Sequence, residues 1–367
     1  MKRLSLLFIL FAVTSCIYDY DFPDIPEAKG ALVIDGNIVV GSKATLGVYR
    51  LTPSGKQASN TQVTPDSWWV EDDAGGRYDL DASGSVSLTS APADRAYRMF
   101  VQAEGKTYSS SFEKPLPAPQ IDSMKFDGDN SNNVHCLLSF SLDPSLGSYV
   151  GITFEEIWEF HADFTRDYNV SYDEEKEEWK ISELEMPDLS HYYCWSKRRM
   201  VNDVLADISA LNGVAVDYQV TQFAKTNNRN HRNYYIKIWA RTLSEKEYKF
   251  HSTLAQQYGG LNLFTPNPGE IAGNIVCEDD PSEYVYGYVS TSMCSSAQMH
   301  LGSKYYLPSS PDKSSFEVPL PERIPEFLAN GYWPIVRNIE NKVEWGPERC
   351  VDCVLAGGKL EKPDFSE

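Results

Sequence analysis

The chain has 367 residues, of which 42% are apolar and 23% charged, and 52 acidic residues outnumber 33 basic ones. This composition excludes a collagen, a disordered acidic tail and a polytopic membrane protein. The formal charge of −19 argues against a nucleic-acid partner, because phosphate binding needs clustered Lys and Arg. The 22 Tyr, 16 Phe and 8 Trp, together with 23 Gly and 21 Pro, are typical of short strands joined by turns.

The N-terminus predicts a lipoprotein signal peptide over residues 1–15. Lys2 and Arg3 precede an apolar run at 4–13, which is shorter than the roughly 20 residues that span a bilayer. Small residues then lead directly to Cys16, a pattern typical of a bacterial lipoprotein box. We therefore expect Cys16 to be lipidated and to bind membrane lipid, since two or more acyl chains hold a protein stably. The alternative is an ordinary secretory signal with an incidental Cys.

An acidic tether follows at residues 16–30. Removing the signal peptide takes away two bases and no acids, so the charge of the mature chain moves from −19 to −21. Asp19, Asp21 and Asp24 resemble the surface-export signal of Bacteroidota lipoproteins, whereas the plainer interpretation is a solvated linker. We expect an outer-membrane protein that faces the cell exterior, although Ile17 after the Cys leaves outer-membrane sorting open.

The rest of the chain predicts a mainly β fold in two parts. Short alternating strands at roughly ten-residue spacing over 31–117 indicate a β-sandwich of the immunoglobulin or fibronectin type. Three prolines between 115 and 119 interrupt any regular ladder, because proline lacks a backbone donor. We predict a larger β-rich domain over 118–349 and a cysteine-containing C-terminal tail over 350–367.

Two short helices are predicted inside the larger domain. Leucine and isoleucine recur at helical spacing over 202–213, between a capping Asn and a terminating Gly. A second helix, near 244–258, begins with Ser244 and Glu247, which form a capping box, and ends at a pair of glycines.

Several segments carry a resemblance to a known family. The strand-then-helix block Tyr234–Phe250 is accompanied by Leu32–Ile38, Phe264–Ile275 and the ending Cys350–Phe365. In this order they resemble an uncharacterised family of Bacteroidota outer-membrane lipoproteins, a domain-of-unknown-function group often encoded beside TonB-dependent receptors. The resemblance implies a TonB-dependent β-barrel transporter as the partner. It supplies no catalytic residues, because the family has no defined activity.

Six cysteines remain once Cys16 is lipidated, and an even number in an exported protein favours disulfides. Cys277 and Cys294 flank a strand–turn–strand unit, which makes them candidates for a cross-strand bridge. We also expect at least one bridge that includes Cys350 or Cys353. Free buried thiols are an alternative, as is a metal or redox role for the Cys350-x-x-Cys353 pair, although no second Cys or His pair has zinc-site spacing.

No motif in the sequence predicts catalysis. There is no H-E-x-x-H, no G-x-S-x-G, no phosphate loop and no dinucleotide fingerprint, and the six histidines are scattered. With 52 acids, some pair will meet the spacing of a glycosidase, so that criterion does not discriminate. We therefore predict no catalytic residues, no metal site and no cofactor.

Four aromatic residues are candidates for a ligand-binding surface. Trp68 and Trp69 are adjacent, so a strand would bury one and leave the other near the surface. Tyr192 and Trp195 lie close to the basic run 197–199. The alternative for each of these residues is ordinary core packing.

The sequence thus favours a non-enzymatic lipoprotein that is an accessory or ligand-capture subunit of a TonB-dependent nutrient transporter. Its ligand would be a small molecule, a glycan or a peptide, bound by loops and exposed aromatic side chains. Two other classes stay open. One is a secreted hydrolase whose carboxylates converge only in three dimensions, and the other is a structural subunit of an envelope assembly.

Overall fold

The computed structural model describes residues 32–52, 59–128, 130–200, 203–259 and 273–365. These residues form mainly β-strands with few short helices, as the sequence predicts. Among them, no helix combines the length and apolar character needed to cross a bilayer.

The signal peptide, Cys16 and the acidic tether over 16–30 lie outside the described residues. Lipidation at Cys16 therefore stays a prediction.

Two sheets share the first buried core. One sheet comprises β1 (Leu32–Val39), β2 (Lys43–Thr52), β3 (Ser59–Gln62), β6 (Ser85–Ser87) and β19 (Val289–Ser292). The other comprises β4 (Ser67–Asp72), β5 (Arg77–Asp79), β7 (Tyr97–Ala103), β8 (Lys106–Ser110) and β18 (Ile275–Cys277). Apolar side chains of both sheets meet between them, which makes this unit a sandwich.

The N-terminal sandwich takes two strands from far along the chain. β19 pairs in parallel with β1, and β18 pairs antiparallel with β8. The unit is therefore not built from residues 31–117 alone. Local alternation marks each strand, but it carries no information about which distant strand completes a sheet edge.

A second pair of sheets forms the larger core. One sheet has the order β16-β10-β9, with β9 (Gln120–Asp127), β10 (Asn133–Ser141) and β16 (Val214–Ala224). The other has the order β14-β11-β17-β20 with β15 also paired to β11, and comprises β11 (Tyr149–His161), β14 (Tyr193–Arg199), β15 (Val204–Asp207), β17 (Tyr234–Leu243) and β20 (Cys294–Leu301). Their facing side chains bury an apolar cluster in which β11 is central.

A smaller unit lies beside the second sandwich. It comprises the hairpins β12 (Arg166–Asp173) with β13 (Glu178–Asp188) and β21 (Tyr332–Arg337) with β22 (Val343–Pro347), the helix α2 (Ile324–Ala329), and 3-10 turns at Pro321–Arg323 and Glu348–Cys350. Two further 3-10 turns, Ser209–Leu211 and Asn228–Asn230, connect strands of the second sandwich. Trp345 is fully buried between α2 and the β12–β13 hairpin, next to Phe327.

One predicted helix is confirmed and the other is wrong. The helix α1 spans Glu245–Gly259, and the backbone N–H of Glu247 donates to Ser244 Oγ at 3.1 Å. Over the described part of this segment, residues 203–213, the structure by contrast has the strand β15 and one 3-10 turn. Tertiary pairing overrides the helical spacing there, because β15 fills the edge of β11.

Buried charges join α1 to both sandwiches. Arg241 of β17 is 6% exposed and donates to Glu247, to Asp203 and, at 3.1 Å, to Ser290 of β19. Burial alone would lower the pKa of Arg241, but the charges of Glu247 and Asp203 outweigh burial and raise it. Gly151 makes room for this pairing, since a Cβ at that position would lie 2.9 Å from Asp203 Oδ2.

Candidate functional site

Strand register gathers aromatic side chains on the outer face of the second sandwich. Tyr193 and Trp195 of β14 pair with His161 and Glu159 of β11, while Tyr235 of β17 pairs on one side with Ile157 and on the other with His300. Directly paired residues project to the same side of a sheet. We call this surface the aromatic face; it comprises Tyr193, Trp195, Tyr235, His161 and His300, with Tyr192, His231 and Tyr306 from adjoining segments.

The first end of the aromatic face is a stack of histidine and tyrosine rings. The ring centroids of His161 and His231 are 4.2 Å apart, and those of His161 and Tyr192 are 5.2 Å apart. Tyr306 meets His231 edge-on at 4.6 Å. Contacts of this kind fix ring orientation and add to the free energy of burial. The stack therefore presents rigid rings at the end of β11.

His231 is held in its neutral form. Half-burial and the neighbouring His161 lower the pKa of His231 to about 4. Its Nδ1 atom is buried and has no hydrogen-bond partner among the described residues. At neutral pH the His231 ring therefore carries no positive charge.

A charged side chain frames the same end. The guanidinium carbon of Arg232 lies 4.4 Å from the ring centroid of Tyr193, whose side chain is 40% exposed. Arg232 also donates to Glu159 Oε1 at 3.1 Å. The cation is thus shared between a carboxylate and an aromatic ring.

Glu159 and Asn233 connect the two ends. Asn233 Nδ2 donates to Glu159 Oε2 at 2.6 Å, so its Oδ1 is left to accept from His300 Nε2, 2.9 Å away. Because the carboxylate accepts from both Arg232 and Asn233, it holds these two side chains in place.

The second end of the aromatic face carries a lysine from the C-terminus. Tyr235 stacks on His300 at 4.4 Å and lies 6.3 Å from Trp195. The Nζ atom of Lys362 is 3.8 Å from the Tyr235 ring centroid and 5.4 Å from that of Trp195. An exposed cation–π contact of this type is worth about 0.5–1 kcal/mol.

The C-terminal tail is held against β14 by its backbone. Trp195 and Lys359 exchange two backbone hydrogen bonds at 2.7 and 2.9 Å, and Lys197 Nζ donates to the carbonyl oxygen of Asp364 at 2.7 Å. Gly358 allows the close approach, since a Cβ there would lie 2.4 Å from the Cβ of Cys194. The tail therefore crosses the outer edge of the sheet before Lys362 reaches the rings.

One disulfide fastens this region. Cys194 of β14 is bonded to Cys353, both sulfurs lie in the core, and the Cα atoms are 5.8 Å apart. The suggested bridge between Cys277 and Cys294 is not formed, because β18 and β20 belong to different sheets. Cys350 is also a free buried thiol.

The predicted ligand-binding residues lie in two separate places. Tyr192 and Trp195 belong to the aromatic face, whereas Trp68 and Trp69 are on β4 of the N-terminal sandwich. Both of these tryptophans are half-buried. Trp68 packs against the core, while Trp69 stacks on Phe100 at 4.9 Å.

Sequence reasoning missed most of the aromatic face. His161, His231, Tyr235 and His300 are scattered over 140 positions of the chain, and nothing local distinguishes them from structural residues. The only usable signal was the aromatic pair beside Trp195.

The other acids of β11 also have partners among the neighbouring side chains. Glu156 accepts from Tyr234 at 2.6 Å and from Arg198 at 2.7 Å, and Glu155 lies 2.8 Å from Lys197 Nζ. Among the described residues, no group of three or more His, Cys, Asp or Glu side chains could hold a metal ion.

Two open depressions also lack facing acids. One, of about 460 Å³, is lined by a single acid, Glu348. The other, of about 320 Å³, has only Asp143. Neither matches the paired carboxylates that a glycoside hydrolase requires.

Comparison with known proteins identifies the family. Residues 18–298 match the model of a domain of unknown function, DUF4249. The chain belongs to this family. Membership agrees with the resemblance to a domain-of-unknown-function group; the lipid anchor and the TonB-dependent receptors nearby remain predictions.

The other comparisons give little further information about this DUF4249 member. No curated protein matches it. A solved structure, a DUF3823 family protein from Bacteroides ovatus, is 8% identical, with 59% of this chain and 92% of that chain covered and a TM-score of 0.16. So low a TM-score supports no argument about function.

Proposed function

We propose that this protein is a non-enzymatic lipoprotein of the outer membrane that faces the cell exterior. In this role it would be an accessory or ligand-capture subunit of a TonB-dependent nutrient transporter. Its ligand would be a small molecule, a glycan or a peptide. The anchor would be the acylated Cys16, and the acidic tether would hold the sandwiches away from the lipid surface.

The aromatic face is the observation that carries the proposal. It combines rings fixed by stacking, a cation at each end and hydrogen-bonding groups between them. Such a surface can bind by stacking, by hydrogen bonds and by cation–π contacts. By contrast, each of the three β11 acids has a basic or hydrogen-bonding neighbour, which favours binding over hydrolysis.

The test of the role is copurification from native membranes. We expect a β-barrel transporter to copurify with the affinity-tagged native lipoprotein after mild detergent solubilisation. The matched control is the Cys16→Ser variant, which lacks the acylated thiol and should be lost from the membrane fraction. Absence of any β-barrel partner would remove the transporter role.

Orientation is tested separately by adding protease to intact cells. A protein that faces the exterior is degraded, whereas a copy in the periplasm survives until the outer membrane is opened. Survival in intact cells would contradict the predicted exposure.

A further inference from the structure

We infer that the Trp195–Tyr235 end of the aromatic face is a binding site for the cationic side chain of a peptide, and that Lys362 occupies it in cis. This inference deepens the proposed function, because it assigns a chemical class to the captured ligand. The C-terminal tail would then compete with the ligand for the same two rings.

The contacts of Lys362 show what the site selects. Its ammonium lies within about 6 Å of both ring centroids, the range in which an aromatic quadrupole attracts a cation. Among the described residues, no carboxylate lies within ion-pair distance of Lys362. The rings therefore hold the ammonium by cation–π attraction, which any lysine or arginine side chain can reproduce.

The side chain of Lys362 can leave the two rings without displacing the C-terminal tail. The side chain of Lys362 is exposed, whereas the tail is held through the backbone of Lys359, through the carbonyl of Asp364 and by the disulfide at Cys353. Rotation about side-chain bonds is enough to free the rings, and such rotations are fast in exposed residues. The site is thus gated by one side chain.

The charge of the molecule favours the same class of ligand. The formal charge of the mature chain, −21 once the two bases of residues 1–15 are removed, concentrates cations near the surface and steers them toward it. The nearest lysine on β14, Lys197, lies 2.8 Å from the buried carboxylate of Glu155, which offsets its charge.

Binding of a minimal cation tests the inference without a transporter. The probe is N-acetyl-lysine methylamide, with N-acetyl-norleucine methylamide as its uncharged counterpart, titrated into the native lipoprotein in detergent. We expect K362A to bind the lysine probe about two- to fivefold more tightly than the native chain, because the competing cation is gone. The norleucine probe should bind neither form. K359A, which alters the other lysine of the tail, should behave as the native chain.

Two further variants separate loss of the site from loss of the fold. In the K362A background, Y235A should abolish binding of the lysine probe, whereas Y235F, which keeps the ring, should retain it. Equal affinity of native and K362A chains for the lysine probe, or equal binding of the two probes, would overturn the inference.

The cis contact can be observed directly. We expect the ε-methylene protons of Lys362 to resonate upfield in the native chain and at ordinary positions in Y235A, because of the ring current of Tyr235. Unshifted protons in the native chain would refute occupancy by Lys362. All these readouts concern the isolated protein, so they can fail while a transporter still copurifies, and the reverse also holds.

Discussion

The junction around Arg241 and the aromatic face around Lys362 differ in how each holds a positive charge. Arg241 is buried, and three partners on β19, α1 and the Asp203 segment fix its guanidinium. Lys362 is exposed, and two rings hold its ammonium. The difference teaches that a buried charge must be fully paired and so serves architecture. Breaking the contact between a cation and an exposed ring costs little free energy, so a ligand can take the place of that cation.

The largest expected effect concerns the junction. Arg241→Met leaves Asp203 and Glu247 without their cation, which should lower the free energy of unfolding by about 3–5 kcal/mol. Urea denaturation measures it. The control, Lys342→Met, removes a solvent-exposed ion pair with Glu340 and should lower the free energy of unfolding far less. If Arg241→Met lowered the free energy of unfolding no more than this control, the buried ion pairs of Arg241 would not stabilise the junction.

The second effect concerns the covalent link between core and tail. Replacing both Cys194 and Cys353 by Ser should lower the free energy of unfolding by about 2–5 kcal/mol, because the bond constrains a long segment of the unfolded chain. Cys294→Ser, at a half-buried free thiol, is the matched control and should cost less. Peptide mapping without reductant should recover the Cys194–Cys353 pair. Recovery of both as free thiols would contradict the structure.

The smallest effect is a pH dependence at the first end of the aromatic face. The pKa of His231 is about 4 in the folded chain and about 6.5 when unfolded, so the unfolded state binds more protons between these values. Stability should therefore fall as the pH drops from about 6.5 to about 4. The full shift corresponds to about 3 kcal/mol, and we expect about 1 kcal/mol for a half-buried ring.

Comparison with His231→Phe isolates this effect. The variant keeps a ring in the stack but cannot be protonated, so its unfolding free energy should vary less with pH over the same interval. The slopes are compared rather than the absolute values, since packing differs. Identical slopes would mean that His231 titrates as in the unfolded chain.

Local signals were sufficient where neighbours along the chain determine the structure. The polar cap at Ser244 and the glycines after residue 258 predicted α1 correctly. However, the cap rests on the bond from the Glu247 N–H to Ser244 Oγ, whereas the Glu247 carboxylate pairs with Arg241 on the preceding strand. The helical spacing over 202–213 failed because pairing with β11 decided that segment instead.

The sequence by itself determined the β class of the molecule, one of its helices and the presence of aromatic residues near 192–195. Only the tertiary structure decided that Cys194 pairs with Cys353, that residues 275–292 complete the N-terminal sandwich and that Tyr235, His300 and Lys362 meet Trp195. Hydrophobic periodicity and turn residues reflect interactions between residues a few positions apart, so they can be recognised in the sequence. Strand register and sheet order depend on packing between distant segments, which no local pattern encodes.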